Sequence, residues 1–139
     1  MEKGIKKINR LSERLKKENV GLIYLFGSEV QGTSTPRSDV DLGVVFTTTD
    51  FFRDSQKCLE VYVFLYDLLS DFFPEREIDL VFLQRSPLSL QFEAVTRGKV
   101  LYEISPLFRA DYTERVIKKY VDFKPLLEKF NQATLEAFL

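Results

Sequence analysis

The sequence of 139 residues contains no histidine, no tryptophan and a single cysteine, Cys58. Without histidine, the chain has no Ser-His-Asp or Cys-His nucleophile, no histidine general base and none of the usual zinc sites. One cysteine forms no internal disulfide, which is typical of the reducing cytosol, and the apolar run around Cys58 predicts a small core residue. Any chemistry must therefore come from carboxylates, hydroxyls, amines and a hard metal ion.

Long apolar runs are missing as well. The longest apolar-rich segment, 59–69, is interrupted by Glu60 and Asp67 and is too short to span a bilayer. No signal-peptide stretch is present near the N-terminus, so we expect a cytoplasmic protein with no membrane partner. The net charge of −1 gives no general attraction for phosphate, and we expect no direct binding of nucleic acid.

The remaining composition is that of one globular domain, with 45% apolar and 14% aromatic residues. Apolar spacing predicts helices over 2–18, 51–72, 87–97 and from 106 to the end, and strands over 20–26, 39–46, 77–83 and 99–103. Asp50 or a preceding threonine is expected to cap the second helix, and Pro125 to kink or split the last one. The predicted fold is α+β: a small mixed β-sheet with flanking helices over about 5–103, and a helical C-terminal extension over about 106–139 of the same single domain.

Two aspartates stand at the beginning of the second predicted strand. Because successive side chains of a strand alternate between its faces, Asp39 and Asp41 project from the same face. Neighbouring carboxylates repel each other unless a cation lies between them. This spacing suits magnesium, which combines one or two protein carboxylates with substrate phosphates and water. An exposed pair of acids without a ligand is the alternative.

A third acid, Asp79, lies within the apolar run of the third predicted strand. Burying a carboxylate there is costly unless it is paired or bound to a metal. A neighbouring strand would bring Asp79 beside Asp39 and Asp41 and complete a nest of three carboxylates for two metal ions. Glu77 points the same way and is the rival of Asp79 for this position.

The dipeptide Gly27-Ser28 directly follows the first predicted strand, where a helix can begin. Helix N-termini carry unpaired amide protons and the positive end of the dipole, and therefore bind phosphate. Glycine allows phosphate to approach the backbone, and the serine hydroxyl adds a donor. Taken alone, Gly-Ser after a strand is also compatible with a plain turn.

The combination Gly27-Ser28, ten residues, Asp39-x-Asp41 resembles the signature of the polymerase-β-like nucleotidyltransferase superfamily, and Asp79 matches its third carboxylate. The short chain resembles the minimal nucleotidyltransferase (MNT) branch. This resemblance implies ATP as substrate, two Mg²⁺ ions, and a HEPN-domain ribonuclease toxin as partner. The MNT protein would act as an antitoxin that transfers AMP to a tyrosine of the toxin. A homo-oligomer is left open.

One departure from the family concerns the residues after Ser28. Many relatives carry arginines there, whereas this chain has Glu29-Val30-Gln31-Gly32, so the triphosphate contacts that those arginines imply are missing. Arg37 is the candidate substitute for nucleotide binding. A solvent-exposed counter-ion to the acidic pair is the other interpretation of Arg37.

Two other functions remain open at the level of sequence. The C-terminal segment has apolar residues at helical spacing, from Leu107 to Phe123, which pack on the sheet or dock a partner. A protein that neutralises its partner by binding alone is therefore the first alternative. The second is a small-molecule nucleotidyltransferase of the aminoglycoside-modifying kind, for which the C-terminal portion is short.

Overall fold

The computed structural model describes the backbone of residues 2–27 and 39–138, and the side chains of 10–27, 39–126 and 128–130. The helices in these parts of the chain are α1 (Glu2–Lys17), α2 (Ser55–Ser70), α3 (Leu88–Arg97) and α4 (Pro106–Phe138). The strands are β1 (Val20–Phe26), β2 (Val40–Phe46), β3 (Ile78–Phe82) and β4 (Lys99–Glu103). The predicted α+β class is confirmed, and the bounds agree with prediction to within one residue, except at α2.

The four strands form one mixed sheet in the order β3-β2-β1-β4. β1 runs antiparallel to both β2 and β4, whereas β2 and β3 are parallel. The two central strands are buried along almost their whole length. The continuous apolar run of β1 therefore belongs to a strand that is covered on both faces.

Helices cover both faces of this sheet. On one face, the side chains of Leu15 from α1 and Leu65 from α2 pack against the strands. Four alternate residues of β2 belong to that cluster: Val40, Leu42, Val44 and Phe46. On the other face, Ala94 from α3 and Tyr112 from α4 pack over β1 and β2 in a second cluster. The sheet is thus the middle layer of a three-layer domain.

The segment before α2 differs from the prediction of one helix over 51–72. A 3₁₀ turn (Asp50–Arg53) comes first, and α2 begins only at Ser55. The helix is capped by Asp54, whose carboxylate accepts hydrogen bonds from the amides of Gln56 and Lys57 at 3.1 and 3.2 Å. The prediction that Asp50 or a threonine caps α2 was therefore wrong. Cys58, in the first turn, is buried as predicted.

The last helix, α4, runs without interruption through Pro125, so of the predicted kink or split the split was wrong. Proline fixes its backbone angle near the helical value and removes only one amide donor. Val121, whose carbonyl loses that donor, is exposed, so water can take the donor's place. Likewise, Pro87 directly precedes α3 and is not in its first turn. None of the described helices combines the length and the apolar character needed to cross a membrane.

Candidate functional site

The predicted acids meet at one end of the sheet. Asp39 is exposed and directly precedes β2, and Asp41 is the second residue of that strand and is partly buried. Asp41 pairs in parallel register with Asp79 of β3, which is exposed at the edge of the sheet. Neighbouring strands lie about 4.8 Å apart, so the two carboxylates stand side by side.

These carboxylates lie on the face of the sheet that α3 and α4 cover. Asp41 is directly opposite Phe26 of β1, and directly opposed residues share a face. Phe26 and Val81, which is two residues after Asp79, both contact the cluster formed with α3 and α4. Glu77, the rival third acid, lies before β3, and its carbonyl accepts a hydrogen bond from Val40. The register therefore brings Asp79, rather than Glu77, beside Asp41.

Gly27 directly follows β1 and lies next to the acids. Its φ of +75° is in the left-handed region that favours glycine. A Cβ built on Gly27 would overlap an oxygen of the Asp41 carboxylate. The absence of a side chain at Gly27 therefore leaves the space in which the carboxylate of Asp41 lies. The contact joins the end of β1 to the beginning of the next strand, β2.

The pKa of Asp41 is raised above its ordinary value. Burial is the main cause, and repulsion from Asp79, Asp39 and Glu93 adds to it, in that order. Four carboxylates thus act on one small volume, and the described part of the chain offers no cation whose charge lowers the pKa of Asp41. The electrostatics favour the binding of a cation between these acids.

Glu93 was not predicted from the sequence. It lies on α3 next to Ala94, which is fully buried against the sheet. The C-terminal end of α3 reaches the end of β1, because a Cβ on Gly98 would meet the carbonyl oxygen of Leu25 at 3.2 Å. No sequence signal distinguishes Glu93 from other acids on helices, because its role depends on how α3 crosses β1.

Two predicted nucleotide-binding residues, Ser28 and Arg37, lie outside the described residues. Within the described ranges, no group of three or more histidine, cysteine or acidic side chains is arranged to hold a metal ion. The carboxylates that the structure brings together are Asp41 and Asp79 in register, with Asp39 at the start of the strand. Oxygen donors of this kind are those that a hard divalent cation prefers.

Comparisons with known proteins agree with this geometry. Residues 7–107 match the family described as polymerase beta, nucleotidyltransferase. No curated protein matches the chain. A chain from the crystal structure of a toxin–antitoxin with AMP-PNP is 26% identical, with a TM-score of 0.68; the match covers 91% of this chain and 97% of that one.

Two further solved structures share the fold at lower identity. One is a tri-AMPylated Shewanella oneidensis HEPN toxin in complex with MNT antitoxin, with 22% identity, a TM-score of 0.63, and coverage of 93% and 96%. The other is the toxin–antitoxin MntA-HepT, with 20% identity, a TM-score of 0.57, and coverage of 93% and 97%. At these identities the likeness concerns the fold alone.

The family match spans most of the chain and includes every element that contributes an acid to the site. The matched residues contain all four strands of the mixed sheet and the ends of β1, β2 and β3 at which the site lies. The chain belongs to the polymerase beta nucleotidyltransferase family.

Proposed function

We propose that this protein is a magnesium-dependent nucleotidyltransferase that moves AMP from ATP to a tyrosine of a HEPN-domain toxin and so acts as its antitoxin. The observation that carries the proposal is the register of Asp41 with Asp79, with Gly27 leaving room for the Asp41 carboxylate. Membership of the nucleotidyltransferase family supports the reaction class. The structures with AMP-PNP and with an AMPylated HEPN toxin support the nucleotide and the acceptor.

The acids of the site fit magnesium. All three are oxygen donors, and the pKa of Asp41 is raised by burial and then by repulsion from neighbouring carboxylates, which a divalent cation would relieve. Asp39, Asp41 and Asp79 would hold two ions. Bound magnesium would supply charge stabilisation for the attacking and leaving oxygens during the displacement.

The residues of the chain bind and orient the reactants. The backbone of Gly27 and the hydroxyl of Ser28 hold the β- and γ-phosphates, and Arg37 adds a cation for the triphosphate. The acceptor oxygen attacks the α-phosphorus, and the bond from that phosphorus to the bridging oxygen of the β-phosphate breaks. Pyrophosphate leaves, AMP stays on the acceptor, and the carboxylate of Asp79 assists loss of the proton from the acceptor hydroxyl.

Labelled ATP tests the reaction type. The protein is incubated with Mg²⁺, a candidate HEPN-domain partner, and ATP labelled at either the α- or the γ-phosphate. We expect the α-label to become covalently attached to the HEPN protein and the γ-label to leave as pyrophosphate. Attachment of the γ-label would instead indicate a kinase, and attachment of neither would contradict the proposal.

Variants of the acids test the proposed site. Asp39→Ala and Asp41→Ala are each expected to lower labelling by at least about 100-fold, because each removes a group that acts on the transferring phosphate. If either variant labels the partner as well as the wild type does, the proposed site is wrong. Full neutralisation of the toxin by the double variant would favour the alternative in which binding alone silences the partner.

A further inference from the structure

The helix α4 is longer than the sheet on which it packs. Its 33 residues extend for about 50 Å, whereas strands of five to seven residues extend for at most about 24 Å. Its described contacts with the domain involve α3, β1 and β4. The ring of Tyr120 stacks on Phe92 of α3, with centroids 3.8 Å apart. Beyond Tyr120, α4 projects past the end of the domain.

The face of α4 that packs on the domain continues into the projecting part. One face of α4 carries Tyr112, Val116 and Tyr120 at four-residue spacing. The same face continues at three-residue spacing with Phe123 and Leu126. Exposure rises along this face, from 4% at Tyr112 and 3% at Val116 to 49% at Phe123 and 60% at Leu126. We refer to Phe123 and Leu126 as the distal face.

The charges around the distal face are mostly positive. Between residues 118 and 129, α4 carries four lysines and two acids, all exposed: Lys118, Lys119, Lys124, Lys129, Asp122 and Glu128. An apolar surface with a basic rim is complementary to an apolar surface with an acidic rim. A second copy of this chain would bring the same lysines against one another, which disfavours self-association through this face.

We propose that the distal face docks an amphipathic helix of the partner protein, with an apolar stripe flanked by acidic residues. Helices recognise each other through apolar residues at three- and four-residue spacing, which is the pattern that Phe123 and Leu126 present. The identity of that partner as the HEPN-domain protein rests on the proposed function. The distal face contains none of the acids at the sheet end.

Substitution of the distal face tests this surface. Phe123→Ser/Leu126→Ser removes both apolar side chains and leaves the site acids unchanged. The matched control is Leu59→Ser/Val63→Ser, which removes two exposed apolar side chains from α2, on the opposite face of the sheet. Binding to the candidate HEPN-domain partner is measured by calorimetry, at low and at high salt.

We expect the distal-face variant to bind at least about 30-fold more weakly, as for the loss of two central interface residues. The control should bind like the wild type, and raising the salt should weaken wild-type binding, because the rim charges are then screened. Unchanged binding of the distal-face variant, or equal weakening of the control, would overturn the proposal. A wild-type dimer that the variant dissolves would also overturn it, since the face would then bind a second copy.

Failure of docking and failure of catalysis give different results. If the wild type binds the HEPN protein through the distal face but transfers no AMP, the proposed reaction is wrong and the docking surface stands. If the distal-face variant still binds and transfers AMP, the docking surface is wrong and the reaction stands. If the wild type does not bind the HEPN protein at all, the partner assigned to this face is wrong.

Discussion

Gly27 and the Asp41 carboxylate share a volume that only a glycine leaves open. A larger residue at position 27 meets two separate costs. The left-handed backbone angle disfavours any residue with a Cβ, and that Cβ would overlap the Asp41 carboxylate. The first cost affects folding, whereas the second moves a group that we propose to be catalytic. Glycine therefore follows β1 for a local reason and for a tertiary one.

Gly27→Ala should destabilise the protein by about 1 kcal/mol, because alanine is strained at positive φ. We expect a larger effect on AMP transfer, with a loss of at least about 100-fold, because a small displacement of a reacting group is costly. Thermal unfolding and labelling assays at saturating ATP separate the two effects. Transfer at the wild-type rate by a folded Gly27→Ala protein would show that the Asp41 carboxylate need not occupy its observed position.

The raised pKa of Asp41 makes the stability of the protein depend on pH. In the folded state, the carboxyl keeps its proton to a higher pH than the ordinary value of 3.8. Stability therefore falls as pH rises through the window between the unfolded and the folded pKa, and at neutral pH the charged carboxylate opposes folding. Site geometry is thus maintained at a cost in stability, as is common for functional groups.

Asp41→Asn should therefore unfold at a temperature a few degrees above that of the wild type at pH 7 without magnesium. The difference should shrink below about pH 4, where the wild-type carboxyl is protonated. Asp67→Asn on the exposed surface of α2 is the control and should leave the midpoint unchanged. Scanning calorimetry at several pH values measures both midpoints. A lower midpoint for Asp41→Asn at pH 7 would contradict the account in which burial and repulsion make the charged Asp41 carboxylate unfavourable in the folded state.

Among the secondary-structure elements, the beginning of α2 depends on a single side chain. The Asp54 carboxylate satisfies two amides of the first turn, which have no partner within the helix. The preceding 3₁₀ turn sets the aromatic rings of Phe51 and Phe52 against Phe46, with centroids 4.9 and 5.9 Å apart. Asp54 therefore joins a packed turn to a helix.

Asp54→Ala should lower stability by about 1 kcal/mol, the usual cost of losing an N-cap. The matched control is Asp50→Ala, which removes a carboxylate four residues earlier that does not cap α2. Urea unfolding followed by circular dichroism gives both free energies. Equal losses in the two variants would show that the cap contributes nothing beyond charge.

Much of this arrangement followed from sequence, because alternation along a strand is a local property. Alternation predicted that Asp39 and Asp41 share a face, and the structure places Val40, Leu42, Val44 and Phe46 in the core on the other face. The predicted start of α2 was wrong, because the three threonines and Asp50 match the sequence pattern of an N-cap as well as Asp54 does. The effect of Glu93 on Asp41 depends on how α3 packs on the sheet, and the contact of Gly27 with Asp41 depends on how β1 pairs with β2. No local pattern specifies either arrangement.

At the scale of the whole molecule, the proposed AMP transfer and the proposed docking of the partner use different elements. The sheet and its two covering layers hold the acids at one end, on the face of α3 and α4. The projecting part of α4 carries the exposed apolar residues Phe123 and Leu126. A protein acceptor suits this arrangement, because a partner that binds both α4 and the acids would react in an effectively intramolecular way.

Intact-mass spectrometry of the HEPN-domain protein, after incubation with ATP, Mg²⁺ and this chain, is the most direct test of the proposed transfer. We predict a mass increase by one or more AMP groups, carried on tyrosine. We predict none with Asp39→Asn/Asp41→Asn, although that variant still binds the partner. An unmodified partner after incubation with the wild type, or equal modification by the double variant, would contradict nucleotidyl transfer at these acids.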